Sequence, residues 1–151
     1  MIRKLAIVVL VIGAVSIVIG GVFIAQGIIK NNFLVSAMRE EKITLGIPSE
    51  ELAEGEVIDN ATEAEIAGNT IREHRHTIAP TYGDLLGGKP YDPTNPTQLT
   101  YTQAMNLENY LYLAVASFGL TQIAIASGVV MVLSGVALGG IGIALRRLGK
   151  P

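Results

Sequence analysis

Residues 111–145 read LYLAVASFGLTQIAIASGVVMVLSGVALGGIGIAL, a run of thirty-five residues without a charged side chain. A second uncharged run, LAIVVLVIGAVSIVIGGVFIAQGII, covers residues 5–29. About 20 apolar residues are enough for a helix to cross the ~30 Å hydrocarbon core of a bilayer. Both runs therefore predict membrane-spanning helices. The expected fold class is an all-α membrane protein, built on an antiparallel two-helix transmembrane hairpin with a small, mainly helical extracytoplasmic domain.

The two runs divide the chain of 151 residues into three predicted parts. Residues 1–30 are expected to form the first transmembrane helix with a short cytoplasmic N-terminus. Residues 31–110 form an acidic extracytoplasmic domain, and residues 111–151 form the second transmembrane helix with a short basic tail. The first apolar run is longer than that of a cleaved signal peptide, and no A-x-A-like site follows it, which favours an uncleaved anchor.

The charged residues are segregated along the chain. All 13 acidic residues lie between Glu40 and Glu108, where they far outnumber the cations. The cations expected to determine the topology are Arg3, Lys4, Arg146, Arg147 and Lys150. Lys and Arg accumulate on the cytoplasmic flanks of membrane spans. We therefore expect a multi-pass protein of the cell membrane with both termini in the cytoplasm and residues 31–110 outside. An acidic middle segment also argues against nucleic-acid binding.

Small residues recur every seven positions in both apolar runs. The repeat comprises Ala6, Gly13, Gly20 and Gly27 in the first run and Thr121, Gly128, Gly135 and Gly142 in the second. Such a stripe lets two helices approach closely, and an antiparallel register would pair the residues in order, from Ala6 with Gly142 to Gly27 with Thr121. The same register places Gln26 and Gln122 at equal height along the two helices, and we predict that these two residues form an interhelical polar pair. Alternatively, the glycines reflect the ordinary composition of membrane helices or a contact with another protein.

Local signals predict the remaining elements. The first helix is expected to continue beyond the membrane as far as Met38, because apolar residues keep helical spacing. Thr62 and Glu65 have the spacing of a capping box, which would open a helix that Pro80 ends after Ile78. The other expected elements are an extended piece at 42–45, a helical turn at 49–55, a turn-rich link at 82–88 and a last helix capped by Thr97.

The residues that usually perform chemistry are few. Cysteine is absent, and the only two histidines are His74 and His76. Two residues apart on a helix, their rings point in nearly opposite directions and cannot chelate one ion, so His74 is expected to pack beside Ile71 and Ile78. The acidic run at 50–65 lacks the ligand spacing of a calcium loop. No catalytic residue, metal site or cofactor site is predicted, and spans without ionisable residues argue against a transporter or channel.

Several short motifs form a recognisable layout. They are Glu41-Lys42-Ile43-Thr44, Glu63-Ala-Glu-Ile-Ala, His74, Thr81-Tyr82-Gly83-Asp84-Leu85 and Ala116-Ser117-Phe118. This layout resembles a family of small two-span bacterial membrane proteins, frequent in actinobacteria and their relatives, that are often named aromatic ring-opening dioxygenase LigA. The resemblance implies a two-span architecture. The name implies a non-haem iron site, in which two histidines and a carboxylate converge, and two histidines in one helical turn do not supply that geometry.

These observations predict a non-catalytic integral membrane protein. The expected role is that of an accessory or structural subunit, whose partners are the lipid bilayer and either other membrane-protein subunits or further copies of the same chain. The alternative is an extracytoplasmic module that binds or senses a ligand or cation, with polar groups converging near His74, Tyr82 and Tyr91.

Overall fold

The computed structural model describes residues 2–45, 52 and 55–149. Within these ranges the chain forms four helices and no strand, which confirms the all-helical class. The helices are α1 (Ile2–Glu41), α2 (Ala61–Ile78), α3 (Tyr82–Leu86) and α4 (Pro96–Leu148). An isolated antiparallel bridge joins Thr44 to Val57. The helical turn predicted at 49–55 lies mostly outside the described residues.

Helices α1 and α4 contain the two apolar runs. With 40 and 53 residues, they are about 60 and 80 Å long, at ~1.5 Å per residue. By length and composition both could cross a membrane. Helix α1 continues through Asn31 and Asn32 to Glu41, which confirms the predicted extension.

The chain divides into two compact units. Unit 1 comprises Met1–Asn32 and Leu120–Pro151, and unit 2 comprises Phe33–Gly119. Within unit 1, large apolar side chains cover most of both helices and are exposed, for example Val18 at 66% and Leu120 at 69%. The most apolar 18-residue stretch of α1 is only 11% buried, and that of α4 is 17% buried. Burial in unit 1 is therefore confined to a narrow seam.

Unit 2 has a conventional apolar core. Its buried members are Met38, Ile58, Ala64, Ala67, Ile71, Leu111 and Phe118. They come from the end of α1, the segment before α2, α2 itself and the first half of α4. The N–H group of Ile58 donates to the carbonyl oxygen of Ile43 at 2.9 Å. This bond and the neighbouring bridge tie the segment before α2 to the chain that leaves α1.

The predicted N-cap residues of α2 and α4 are both wrong, because each true cap lies two residues earlier in the chain. Asn60, not Thr62, caps α2: its Oδ1 accepts from the N–H of Glu63 at 3.0 Å. The carboxylate of Glu63 reaches back to accept from the N–H of Asp59 at 2.9 Å. Asparagine caps at least as well as threonine, and the reciprocal pair of bonds has the character of a capping box. The predicted end of α2 at Ile78, before Pro80, is confirmed.

Helix α4 follows the same rule. Asn95 Oδ1 accepts from the N–H groups of Thr97 and Gln98 at 3.0 and 3.2 Å. The helix begins at Pro96, where the missing N–H of proline costs nothing. The link predicted at 82–88 contains a short helix, α3, which Thr81 caps and which Gly87 ends in a left-handed conformation with φ 55°.

Candidate functional site

Helix α2 presents a buried face that includes one charged residue. The buried residues of this face are Ala64, Ala67, Gly68, Ile71 and Arg75. The apolar spacing predicted that His74 lies on this face, and that prediction is wrong, because His74 and His76 are both exposed. Successive residues of a helix are rotated by about 100°. His74 lies three positions after Ile71 and Arg75 lies four positions after it, so both are near the direction of Ile71. The buried face continues to Arg75.

Arg75 forms a buried ion pair with Glu108 of α4. The guanidinium Nε–H donates to Glu108 Oε2 at 2.8 Å, and the two side chains are only 10% and 9% exposed. A second guanidinium N–H donates to the hydroxyl of Tyr101. The guanidinium carbon also lies 4.8 Å from the centroid of the Tyr101 ring. Tyr101 itself is fully buried. We call Arg75, Glu108 and Tyr101 the buried polar cluster.

The electrostatics of this cluster favour the charged state of arginine. The hydrogen bond to Glu108 raises the pKa of Arg75, and this outweighs the burial that would lower it. Arginine does not release its proton in proteins, so the cation needs its carboxylate partner at every accessible pH. A buried cation without its partner is strongly destabilising. The cluster therefore fixes the position of α2 against the first half of α4, and its charged groups are largely shielded from solvent.

A second polar group lies on the same two helices. Tyr112 Oη donates to Asn69 Oδ1 at 2.7 Å, and Arg72 Nη2 donates to the same oxygen at 3.1 Å. A Cβ atom on Gly68 would lie 3.3 Å from the Tyr112 ring. The ring thus packs directly over the glycine backbone, and its hydroxyl is set by Asn69. This group also joins α2 to α4.

The positions considered for ligand binding are open to solvent. His74, Tyr82 and Tyr91 are all exposed. The ring of Tyr82 lies 6.3 Å from that of Tyr101, so one side of it packs on the buried polar cluster. In the part of the chain that the structure describes, no group of three or more His, Asp or Glu side chains could hold a metal ion. Glu50, Glu51 and Glu54 lie outside the described residues.

The small-residue stripe forms the seam of unit 1. A Cβ atom built on Gly20 would lie 2.6 Å from the carbonyl oxygen of Gly128, and one built on Gly13 would lie 2.8 Å from that of Gly135. One built on Gly27 would lie 3.0 Å from the carbonyl oxygen of Thr121. Residue numbers rise in α1 as they fall in α4, so these segments run in opposite directions.

At the pair formed by Ala6 and Gly142, the closest neighbour is a side chain and not a backbone oxygen. The nearest side chain to Gly142 is that of Leu10, whose Cγ would lie 2.6 Å from an added Cβ. Ala6 is fully buried nonetheless. Off the stripe, a Cβ atom on Gly21, Gly139 or Gly140 would meet nothing within 4 Å. The close backbone approach therefore depends on stripe positions and not on glycine content as such.

Gln26 and Gln122 do not meet. Both side chains are exposed, and no hydrogen bond joins them within the described ranges. The register levels them along the helix axis. However, one residue precedes a seam position on α1 and the other follows one on α4, and in an antiparallel pair these positions rotate to opposite flanks. Near this level, Thr121 Oγ1 donates a hydrogen bond to Asn31 Oδ1 at 3.3 Å.

Four of the cations assigned to topology are exposed in unit 1, namely Arg3, Lys4, Arg146 and Arg147. Lys150 lies outside the described residues.

The buried polar cluster was not predicted from the sequence, although the sequence contains a signal for it. Glu108 is the only charged residue between Pro96 and Leu145. A single acid in such a long run needs a partner if it is buried. The sequence does not say which cation supplies it, because Arg75 is 33 residues away. No protein-family model, no curated protein and no solved structure matches this chain.

Proposed function

We propose that this chain is a two-span protein of the cell membrane that serves as a non-catalytic accessory or structural subunit. In this proposal the α1 and α4 segments of unit 1 form a transmembrane hairpin. Unit 2 is the extracytoplasmic part, which presents an acidic surface to partners. The resemblance to small two-span bacterial membrane proteins agrees with this architecture.

The observation that carries the proposal is the exposed apolar surface of unit 1. Side chains such as Leu5, Val18, Leu120 and Leu133 are between 55% and 69% exposed. Soluble proteins rarely expose contiguous apolar patches of more than a few hundred Å². A surface that is apolar on all sides of a helix pair is stable in hydrocarbon, where the acyl chains cover it.

Charge supports the orientation. Four exposed cations of unit 1 lie in the first turn of α1 and the last turn of α4, namely Arg3, Lys4, Arg146 and Arg147, whereas Lys30 lies at the other end of the first apolar run. Every acidic residue lies between Glu40 and Glu108. By the positive-inside rule both termini are cytoplasmic and unit 2 is external.

The polar contacts support a structural role. Among the described residues, the least exposed charged side chains are Arg75 and Glu108, which pair between α2 and α4, and Arg75 also donates to Tyr101. Such a pair fixes the arrangement of helices and cannot reach a substrate. The lipid-facing surface of unit 1 also has room for neighbouring helices at Gly21, Gly139 and Gly140, where no atom occupies the space of a Cβ. Small residues at such positions favour close helix packing in membranes.

Cysteine labelling tests the topology, because the chain has no natural cysteine. We would introduce one cysteine at Glu73, exposed on α2, or at Leu148, exposed at the end of α4. A membrane-impermeant maleimide should label the cysteine at position 73 in intact cells and the one at position 148 only after lysis. The reverse pattern would overturn the orientation. Release of the protein by alkaline extraction of membranes would overturn the membrane assignment.

Purification in mild detergent tests the role. The protein should migrate with other membrane proteins or as an oligomer of itself, and co-purifying chains can be identified by mass spectrometry. A monodisperse monomer from native membranes would contradict the accessory role while leaving the topology intact.

A further inference from the structure

Four cations lie at one end of unit 1. Arg3 and Lys4 lie in the first turn of α1, and Arg146 and Arg147 lie in the last turn of α4. A Cβ atom on Gly149 would lie 3.4 Å from Arg3 Cγ, so the two helix ends are in contact. All four side chains are exposed. We call these four residues the basic end.

The positive charge of the basic end is not compensated. No acidic residue occurs in residues 2–39 or 109–149. Within the described ranges, none of the four cations forms an ion pair or a side-chain hydrogen bond. The helix dipole offsets Arg146 and Arg147 at the C-terminus of α4. It adds to the positive charge of Arg3 and Lys4 at the N-terminus of α1. The basic end therefore has a net attraction for anions.

Apolar side chains continue directly from the basic end. Ile2, Leu5 and Leu148 are 48%, 55% and 76% exposed. A ligand that fits both surfaces needs an anionic headgroup and a hydrocarbon chain. Inorganic phosphate supplies only the first, whereas an anionic phospholipid supplies both. Basic groups between membrane helices on the cytoplasmic side are suited to such headgroups.

We propose that the basic end binds the phosphodiester headgroups of anionic phospholipids, with their acyl chains against the adjoining apolar side chains. This inference rests on the proposed membrane insertion. It goes beyond the use of these cations as topology signals, because it assigns them an occupant in the folded protein. Arginine contributes bidentate hydrogen bonds to phosphate oxygens, and lysine contributes charge.

Native mass spectrometry tests the proposal on the whole chain. The protein would be released from nonionic micelles that contain equal amounts of phosphatidylglycerol and phosphatidylcholine, and the adducts of each lipid counted. The test variant is Arg146→Gln/Arg147→Gln. The matched control is Lys30→Gln/Lys89→Gln, which removes two exposed cations elsewhere. Because the protein is already extracted, any effect of the substitutions on orientation in the cell does not enter.

Wild type and control should retain phosphatidylglycerol preferentially. In the test variant the ratio of phosphatidylglycerol adducts to phosphatidylcholine adducts should fall by about fivefold or more. The loss of a single cation near an anionic surface already weakens binding by about this factor. Equal ratios in test and control variants would overturn the assignment. Displacement of phosphatidylglycerol by an equal concentration of inorganic phosphate would overturn the lipid as the occupant. If alkaline extraction releases the protein from membranes, the proposed function fails as well. If the protein stays in the membrane and shows no lipid preference, only this inference fails.

Discussion

Gly20 and Gly21 are adjacent on α1 and face different surroundings. A Cβ atom on Gly20 would lie 2.6 Å from the carbonyl oxygen of Gly128 and 2.9 Å from the backbone nitrogen of Val132. One on Gly21 would meet nothing within 4 Å. The substitutions Gly20→Ala and Gly21→Ala add the same methyl group to the same helix. Their comparison therefore isolates the seam of unit 1.

The size of the effect follows from these distances. An ordinary contact to a Cβ atom begins near 3.4 Å, so Gly20→Ala requires the helices to separate by about 0.8 Å at this level. A gap of ~0.5–1 Å removes a quarter to a half of the dispersion energy of each contact. Overpacking of this kind costs about 1–3 kcal/mol. The preference of helices for alanine over glycine, about 1 kcal/mol, applies to both variants and cancels.

We expect the free energy of unfolding of Gly20→Ala to be about 1–3 kcal/mol below that of Gly21→Ala. The measurement is reversible unfolding in mixed micelles with a rising fraction of denaturing detergent. Energy transfer between labels on cysteines at positions 2 and 148 would follow separation of the helices. Two variants that unfold at the same detergent fraction, within about 0.5 kcal/mol, would refute the reasoning.

Three further predictions concern unit 2. Glu108→Leu leaves a buried arginine without its carboxylate, and we expect chemical denaturation to show a loss of about 3–5 kcal/mol. Asn60→Ala removes the cap of α2 and should cost about 1 kcal/mol by the same measurement, whereas Thr62→Ala should cost less than about 0.5 kcal/mol. The hydroxyl and N–H of Thr94 lower the pKa of Asp92, so Thr94→Val should raise that pKa toward its ordinary value in a carboxyl NMR titration. A lowered folded pKa stabilises above the unfolded pKa, and the stabilisation disappears as the pH falls through the folded pKa. The variant should therefore lose less stability on acidification.

Each of these has a contradicting outcome. The double variant Arg75→Met/Glu108→Leu removes both charges and should recover much of the stability that Glu108→Leu loses; a double variant less stable than the single one would count against the unpaired charge as the cause. Equal losses from Asn60→Ala and Thr62→Ala would return the capping role to Thr62. An unchanged titration of Asp92 in Thr94→Val would exclude the hydroxyl as the source of the lowered pKa.

The long helices were predictable because their signal is local. An uncharged run of 25 or 35 residues satisfies its own backbone only as a helix in an apolar environment. The errors at helix starts were also local. Asn60 and Asn95 each lie two residues before the threonine that was expected to cap. The N-cap preference for asparagine over threonine favours the caps that the structure shows at both positions.

The buried face of α2 was harder to predict. The apolar pattern around Ile71 allows continuation to His74 or to Arg75, which differ by about 100° of rotation. Periodicity favoured the less polar choice. The structure selects Arg75 because Glu108 and Tyr101 on α4 satisfy its charge and hydrogen bonds. The failed pairing of Gln26 with Gln122 has a similar origin, since equal height along two helices does not make two side chains face each other.

The helical class, the two apolar lengths, the segregation of charge and the seven-residue spacing of small side chains could all be predicted from the amino-acid order. Each of these is a property of residues close together in the chain, and short-range periodicity records it. Three features required the folded structure: the contact of Arg75 with Glu108 and Tyr101, the carbonyl oxygen that lies against Gly20, and the location of the first turn of α1 and the last turn of α4, with their cations, at one end of unit 1. These contacts join residues 26 to more than 100 positions apart. They depend on how each helix is rotated about its axis, and that rotation is set by packing against the other helices.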